Sequence, residues 1–196
     1  MPSLSIDLDG NRVSTIDLTP MEVVDVSVHG SLDQDPKAVL DAMGGNYTEG
    51  GCGHLIWITE TSLLPGEVLT VTLQEASSIS DRGRSMGEIF PDEEPCTLTD
   101  FSINDEMAAE LRARPQLHEQ FYVQAATSNC RAVAVKSDDR NTRFTFRVLW
   151  DFTRPSEARV HLTTNCLDDV IARKVGLKHL EATLSFGNFA SFSLAS

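Results

Sequence analysis

Alternation of apolar and polar residues at every second position is the feature that most limits what this chain can fold into. It is clearest in RFTFRVLWDF, residues 143–152. Every second side chain there is large and apolar: Phe144, Phe146, Val148, Trp150 and Phe152. Successive side chains of an extended strand point to opposite faces, so these five share one face. We therefore predict a strand whose apolar face belongs to a buried core.

The same period of two recurs along most of the chain. It is found in segments 4–8, 16–18, 24–28, 69–73, 121–125, 133–135, 160–164 and 180–194. About eleven short strands and about three short helices predict a β-rich α+β fold, either an antiparallel β-sandwich or a partly closed barrel. A length of 196 residues supports one sizeable core. No Pro/Ser-rich linker divides the chain, so residues 1–196 are predicted to form a single domain.

Two turn signals predict hairpins with definite pairings. An odd-length turn such as Gly10-Asn11-Arg12 near the N-terminus would pair Ile6 with Ile16 and Leu4 with Leu18, and would keep one apolar face intact. A second odd-length turn at Gly187 would pair Leu184 with Phe192 in the same way. A strand at 55–58, apolar on both faces, is predicted to be central in its sheet.

Helix signals are fewer. The segment PKAVLDAM (36–43) has Asp35 as a possible N-cap, proline at its first position and a glycine past its end. A second helix is predicted to open at 102–105 and to stop at Pro115. A short third helix is predicted to begin after Asn165.

One long irregular loop interrupts the strands, at residues 76–101. It contains the basic cluster DRGR and the acidic segment FPDEEP. Long loops on rigid scaffolds often carry recognition, so this loop is the predicted contact surface. On that interpretation, deletion of residues 80–98 should leave the fold largely intact.

Charge limits the possible partners. Acidic residues number 29 and basic residues 16, which gives a net charge of −13. A surface this negative repels phosphate backbones and anionic lipids, so neither nucleic acid nor a membrane is an expected partner. A more specific interpretation of the negative charge is that the protein binds a basic protein partner. Exposed sheet edges would also allow a homo-oligomer. No membrane-length apolar run and no secretory signal are present, so a cytoplasmic location is expected.

The glycine-rich stretch GGNYTEGGCGHLIWITE (44–60) raises the question of a reactive thiol. Cys52 and His54 would project to one side of an extended strand, which suggests a nucleophile with a base beside it. Two strand rises are about 7 Å, however, which is long for a hydrogen-bonded pair. We therefore favour a turn that feeds a buried strand over a catalytic Cys52–His54 pair.

No cofactor or metal motif stands out. The glycines precede a strand and no GK[ST] follows, which disfavours a phosphate-binding loop, and no cofactor is predicted. The four cysteines lack CxxC spacing, and the aspartate-rich segments lack the glutamate of a calcium loop. A metal site assembled from distant strands by His29, His54 and His161 is the remaining alternative.

The sequence thus favours a non-catalytic, cytosolic binding or interaction module with an acidic surface and an unknown partner. The alternative is a cysteine-dependent hydrolase or transferase that uses Cys52 with a nearby histidine. A third possibility is a β-barrel that binds a small ligand or a metal. All three depend on which side chains the fold brings together.

Overall fold

Two six-stranded antiparallel sheets face each other across one apolar core, which confirms the predicted β-rich α+β sandwich. The computed structural model describes residues 1–76, 80–92, 103–129 and 131–195. Its strands are β1 (Ser3–Leu8), β2 (Asn11–Asp17), β3 (Val23–Ser31), β4 (Ala38–Asn46), β5 (Gly53–Ser62), β6 (Val68–Gln74), β7 (Tyr122–Thr127), β8 (Ala132–Lys136), β9 (Arg143–Asp151), β10 (Glu157–Asn165), β11 (Leu177–Ser185) and β12 (Phe189–Leu194). Its helices are α1 (Met86–Ile89), α2 (Asp105–Ala113) and α3 (Leu167–Ile171).

The order of strands leaves both sheets open. The first sheet runs β2-β1-β6-β12-β7-β8 and the second runs β11-β10-β9-β3-β4-β5. Each sheet therefore ends in two edge strands, and the alternative of a partly closed barrel does not hold. The described ranges contain twelve strands, one more than the period-two count.

Strand β9 carries the stripe that the alternation predicts. Phe144, Phe146, Val148 and Trp150 are each at most 2% exposed in the core. The inclusion of Phe152 in the buried face was wrong, since it is 58% exposed. The strand ends at Asp151, whose carboxylate accepts a hydrogen bond from the Thr153 backbone N–H and starts a turn.

The N-terminal hairpin forms, but its predicted register was wrong. Ile16 pairs with Leu4 rather than with Ile6, and Ile6 lies opposite Ser14. The turn has only two residues between Leu8 and Asn11, and a β-bulge shifts the register between Ile6 and Asp7. The bulge returns the apolar residues to the core face, the role the prediction gave to an odd-length turn.

The predicted C-terminal hairpin was also wrong. β11 pairs with β10 in the second sheet, whereas β12 lies between β6 and β7 in the first. The chain changes sheets at Gly187, whose φ is +80° and whose N–H donates to the Leu73 carbonyl at 2.8 Å. Leu184 and Phe192 are both buried, but in opposite sheets rather than side by side.

The segment predicted as the first helix is strand β4. Residues 38–42 are all buried, because β4 lies between β3 and β5 and points Ala38, Leu40 and Ala42 into the core between the sheets. Gly44 is not a helix terminator but an interior strand residue packed against β3. A Cβ added to it would lie 2.3 Å from the Val23 carbonyl oxygen.

The other two predicted helices are confirmed. The side chain of Asn104 caps α2 by accepting from the Met107 N–H at 2.8 Å. For α3 the N-cap is Cys166 rather than Asn165. The remaining helix, α1, was not predicted. It lies within the long loop, where Ser85 and Glu88 form a capping box.

Residues 80–84, called the strap below, connect the edges of the two sheets. In the first sheet, the Asp81 N–H donates to the Thr15 carbonyl of β2 at 2.7 Å. In the second, Ile56 of β5 and Arg84 exchange backbone hydrogen bonds of 2.8 and 2.9 Å. The prediction that residues 55–58 form a central strand was therefore wrong. β5 is an edge strand, and the strap covers it.

The strap changes the interpretation of the long loop 76–101. Its described part, residues 80–92, is anchored to both sheets instead of projecting freely. Residues 77–79 and 93–102 lie outside the described residues. We therefore expect deletion of residues 80–98 to damage the fold, contrary to the expectation from sequence.

Candidate functional site

The structure gives Cys52 and His54 different contact partners. The Cys52 Sγ lies 4.0 Å from the Met21 Sδ and 3.7 Å from the Gly53 carbonyl oxygen. The His54 Nδ1 is instead 2.9 Å from the Tyr47 hydroxyl, and the two rings stack. Gly53, at φ +67°, bends the chain between Cys52 and His54. Cys52 precedes β5, so the two residues do not share one extended strand.

The three histidines of the possible metal site do not converge. His29 on β3 lies opposite Thr145 of β9, and His161 on β10 lies opposite Arg147. His54 stands at the start of β5, beside the glycine-rich turn. Within the described ranges, no group of three or more histidine, cysteine, aspartate or glutamate side chains could hold a metal ion.

A cleft of about 530 Å³ opens on the outer face of the second sheet, over β3, β4 and β5. We call it the acidic cleft. One wall is the turn between β3 and β4, and the other is α1 with the residue that follows it. It is lined by His29, Gln34, Asp35, Pro36, Val39, Asp41, Met43, Ile56, Thr59, Glu60, Met86 and Phe90.

The apolar part of the acidic cleft is built on the sheet face that points away from the core. Val39 and Ile56 are only 4% and 5% exposed, yet neither belongs to the core between the sheets. They are buried on the outer face, where Met86 and Phe90 line the same cleft. A half-exposed Met86 gives this wall an adaptable apolar side chain.

The polar part of the acidic cleft centres on Asp41. One carboxylate oxygen accepts a hydrogen bond from the Glu60 N–H at 2.8 Å, and the other lies 3.5 Å from the His29 Nδ1. Asp41 is buried, whereas Glu60 and Asp35 are exposed at the rim. This one carboxylate therefore fixes the backbone of β5 and orients the imidazole of His29.

A β-bulge in β5 sets the position of Glu60. Ala42 pairs with Ile58 and Leu40 pairs with Thr61, which leaves two residues of β5 opposite one of β4. Glu60 adopts φ +46°, a left-handed conformation that is uncommon outside glycine. Bulges of this kind redirect a side chain, and here the redirected group is a carboxylate at the cleft.

The lining of the acidic cleft is strongly unbalanced in charge. It includes the three carboxylates of Asp35, Asp41 and Glu60, and one histidine, but no lysine or arginine. Sequence reasoning missed this site because it placed Asp41 in a helix. The available signal was a single carboxylate inside the apolar run AVLDAM, since a buried charge needs partners.

Comparison with known proteins found no match. No protein-family model matches the chain, and the searches of curated proteins and of solved structures also returned no match. Among the described residues, no helix is both long and apolar enough to cross a bilayer. The function must therefore be argued from the geometry of the chain itself.

Proposed function

We propose that the protein is a non-catalytic binding module that takes a cationic side chain of a basic protein partner into the acidic cleft. The observation that carries the proposal is the lining itself. Three carboxylates face the cleft beside Val39, Ile56 and two methionines, with no basic residue except a histidine. The proposed setting is the cytoplasm.

Lysine and arginine match this chemistry because each has an apolar stem and a charged head. The stem would lie on the apolar floor at Val39 and Ile56, and the head would approach Asp35 and Glu60 at the rim. A volume of about 530 Å³ lies within the usual range of ligand sites. The net charge of −13 would also steer a basic partner toward the surface.

The contacts of Cys52 favour binding over thiol catalysis. Nucleophilic cysteines need a base or a positive field that stabilises the thiolate. Here the sulfur contacts a thioether and a backbone carbonyl, and the imidazole of His54 is hydrogen-bonded to the Tyr47 hydroxyl. The binding proposal needs none of these groups.

Fluorescence anisotropy with a labelled lysine- and arginine-rich peptide tests the proposal. Asp35→Asn and Glu60→Gln each remove one rim charge with little change in shape. Exposed ion pairs contribute about 0.2–1 kcal/mol, so each variant should weaken binding by a factor of up to about 5. Glu49→Gln, an exposed carboxylate on the β4–β5 turn outside the cleft, is the matched control.

Equal weakening by the cleft variants and by Glu49→Gln would show that only the overall negative charge attracts the peptide. That result would overturn the proposed role of the cleft. Absence of binding by the unmodified protein at low ionic strength would do the same.

A further inference from the structure

Three arginines line a second pocket, of about 280 Å³, at the end of the sandwich near α2, α3 and the start of β9. We call it the arginine pocket. It is lined by Leu32, Asp33, Leu111, Arg112, Arg114, Gln116, Thr142, Arg143 and Leu167. Against three guanidinium groups the lining has one carboxylate, in a chain whose net charge is −13. With Asp168, which pairs with Arg112 from outside the lining, two carboxylates face three guanidinium groups, so the pocket keeps a local excess of positive charge.

Ion pairs hold two of the arginines in place. Arg143 donates through one Nη to Asp33 at 2.5 Å, and its side chain is only 25% exposed. Arg112 donates through Nε and one Nη to a single carboxylate oxygen of Asp168, at 3.0 and 2.8 Å. A guanidinium has five N–H donors, so both groups keep donors beyond those that these carboxylates use.

Arg114 adds a charge that is not paired in this way. It is the C-cap of α2, where its backbone N–H donates to the Leu111 carbonyl oxygen. Its side chain is exposed and forms no ion pair within the described ranges. Of the three arginines, it is therefore the one most available to a ligand.

We propose that the arginine pocket binds a small organic oxyanion, a carboxylate or a phosphate ester with a short apolar body. Arginine is the residue best suited to planar or multidentate recognition of such groups. The apolar body would contact Leu32, Leu111 and Leu167, which line the same space. This site is separate from the acidic cleft, shares no lining residue with it and does not depend on its function.

Two-dimensional amide NMR of the full chain tests the proposal, with benzoate and phenyl phosphate titrated at constant ionic strength and chloride as the reference ion. Saturable shifts at residues 111–116 and 142–143 are expected with at least one of the two probes. Whichever probe binds more tightly identifies the oxyanion as carboxylate or phosphate. Arg114→Gln should raise the dissociation constant by a factor of roughly 3 to 10, because it removes a charge-assisted donor.

Arg154→Gln is the matched control, since Arg154 is also exposed but lies on the β9–β10 turn. It should leave the dissociation constant unchanged. Shifts that do not exceed those given by chloride, or an equal loss in Arg114→Gln and Arg154→Gln, would overturn the proposal. Neither result would bear on the acidic cleft, which the basic peptide tests.

Discussion

Replacement of Asp81 by alanine should release the strap from the first sheet. The Asp81 Oδ2 accepts two hydrogen bonds from β2, one from the Ser14 Oγ at 3.1 Å and one from the Thr15 N–H at 2.6 Å. Ser14 and Thr15 are only 3% and 2% exposed, so both donors would lose their acceptor in a largely buried place. The backbone bonds of Asp81 to Thr15 and Trp57 would be weakened as well.

The size of the effect follows from these two bonds. A buried donor left without a partner costs about 1–3 kcal/mol, and hydrogen bonds to charged groups are at the upper end of the normal range. Asp81 itself is exposed, so water replaces part of the lost interaction. We therefore expect the free energy of unfolding to fall by about 2 kcal/mol in total. With a urea m-value of about 2–3 kcal/mol/M, the midpoint should fall by about 0.7–1 M.

Urea denaturation followed by circular dichroism measures this shift. Asp139→Ala is the control, because Asp139 is exposed and the structure gives it no hydrogen bond or ion pair within the described ranges. Its midpoint should change by less than about 0.2 M, as expected for a surface substitution. Equal midpoints for the Asp81 and Asp139 variants would refute the idea that the strap joins the sheets. They would restore the interpretation of residues 80–92 as a free loop.

Three further predictions concern the strands and the thiol. Burial lowers the pKa of His161 and of His179 in the folded protein. As the pH falls, these histidines therefore bind protons in the unfolded chain before they do so in the folded one. The stability that the neutral rings contribute is present above about pH 6.5 and is lost below it. The urea concentration at the unfolding midpoint should therefore be lower at pH 5.5 than at pH 7.5, and the difference should be smaller in the double variant His161→Asn/His179→Asn. An equal difference in the variant and the unmodified protein would contradict the role given to these two histidines. Gly44→Ala should lower the free energy of unfolding by about 1–3 kcal/mol, because the new Cβ would clash with the Val23 carbonyl oxygen. Gly87→Ala is the control and should have no such effect, because the space around its Cβ is open. Thermal denaturation of the two variants measures the difference. Cys52 should react with iodoacetamide at pH 6 no faster than glutathione, because its sulfur contacts a thioether and the His54 imidazole is hydrogen-bonded to Tyr47. Rapid labelling, detected by mass spectrometry, would revive the cysteine-enzyme alternative.

The strand content was predictable because it follows from the local alternation of apolar and polar residues. In β9 the period of two marks the buried face residue by residue, and the structure departs from it only at Phe152, beyond the strand end. Such a pattern reports which side chains are buried and needs no knowledge of neighbouring strands.

Strand pairing and the acidic cleft could not be predicted from local alternation. Segment 36–43 has a cap-like Asp35 before it and a glycine after it, and only its burial between β3 and β5 makes it a strand. β12 has the same alternating pattern whichever sheet receives it. The acidic cleft depends on the pairing of β4 with β5. Because β4 was predicted as a helix, the position of Asp41 in this cleft was missed.

The position of β12 also sets an order for assembly during synthesis. β1, β2 and β6 precede residue 75, and β7 and β8 are complete by residue 136. In the sheet that the structure describes, the two groups are joined through β12, which pairs with β6 on one side and with β7 on the other. A growing chain would therefore hold two half-sheets with unsatisfied edges until residue 194 had left the ribosome. Until then these edges would be open to mispairing.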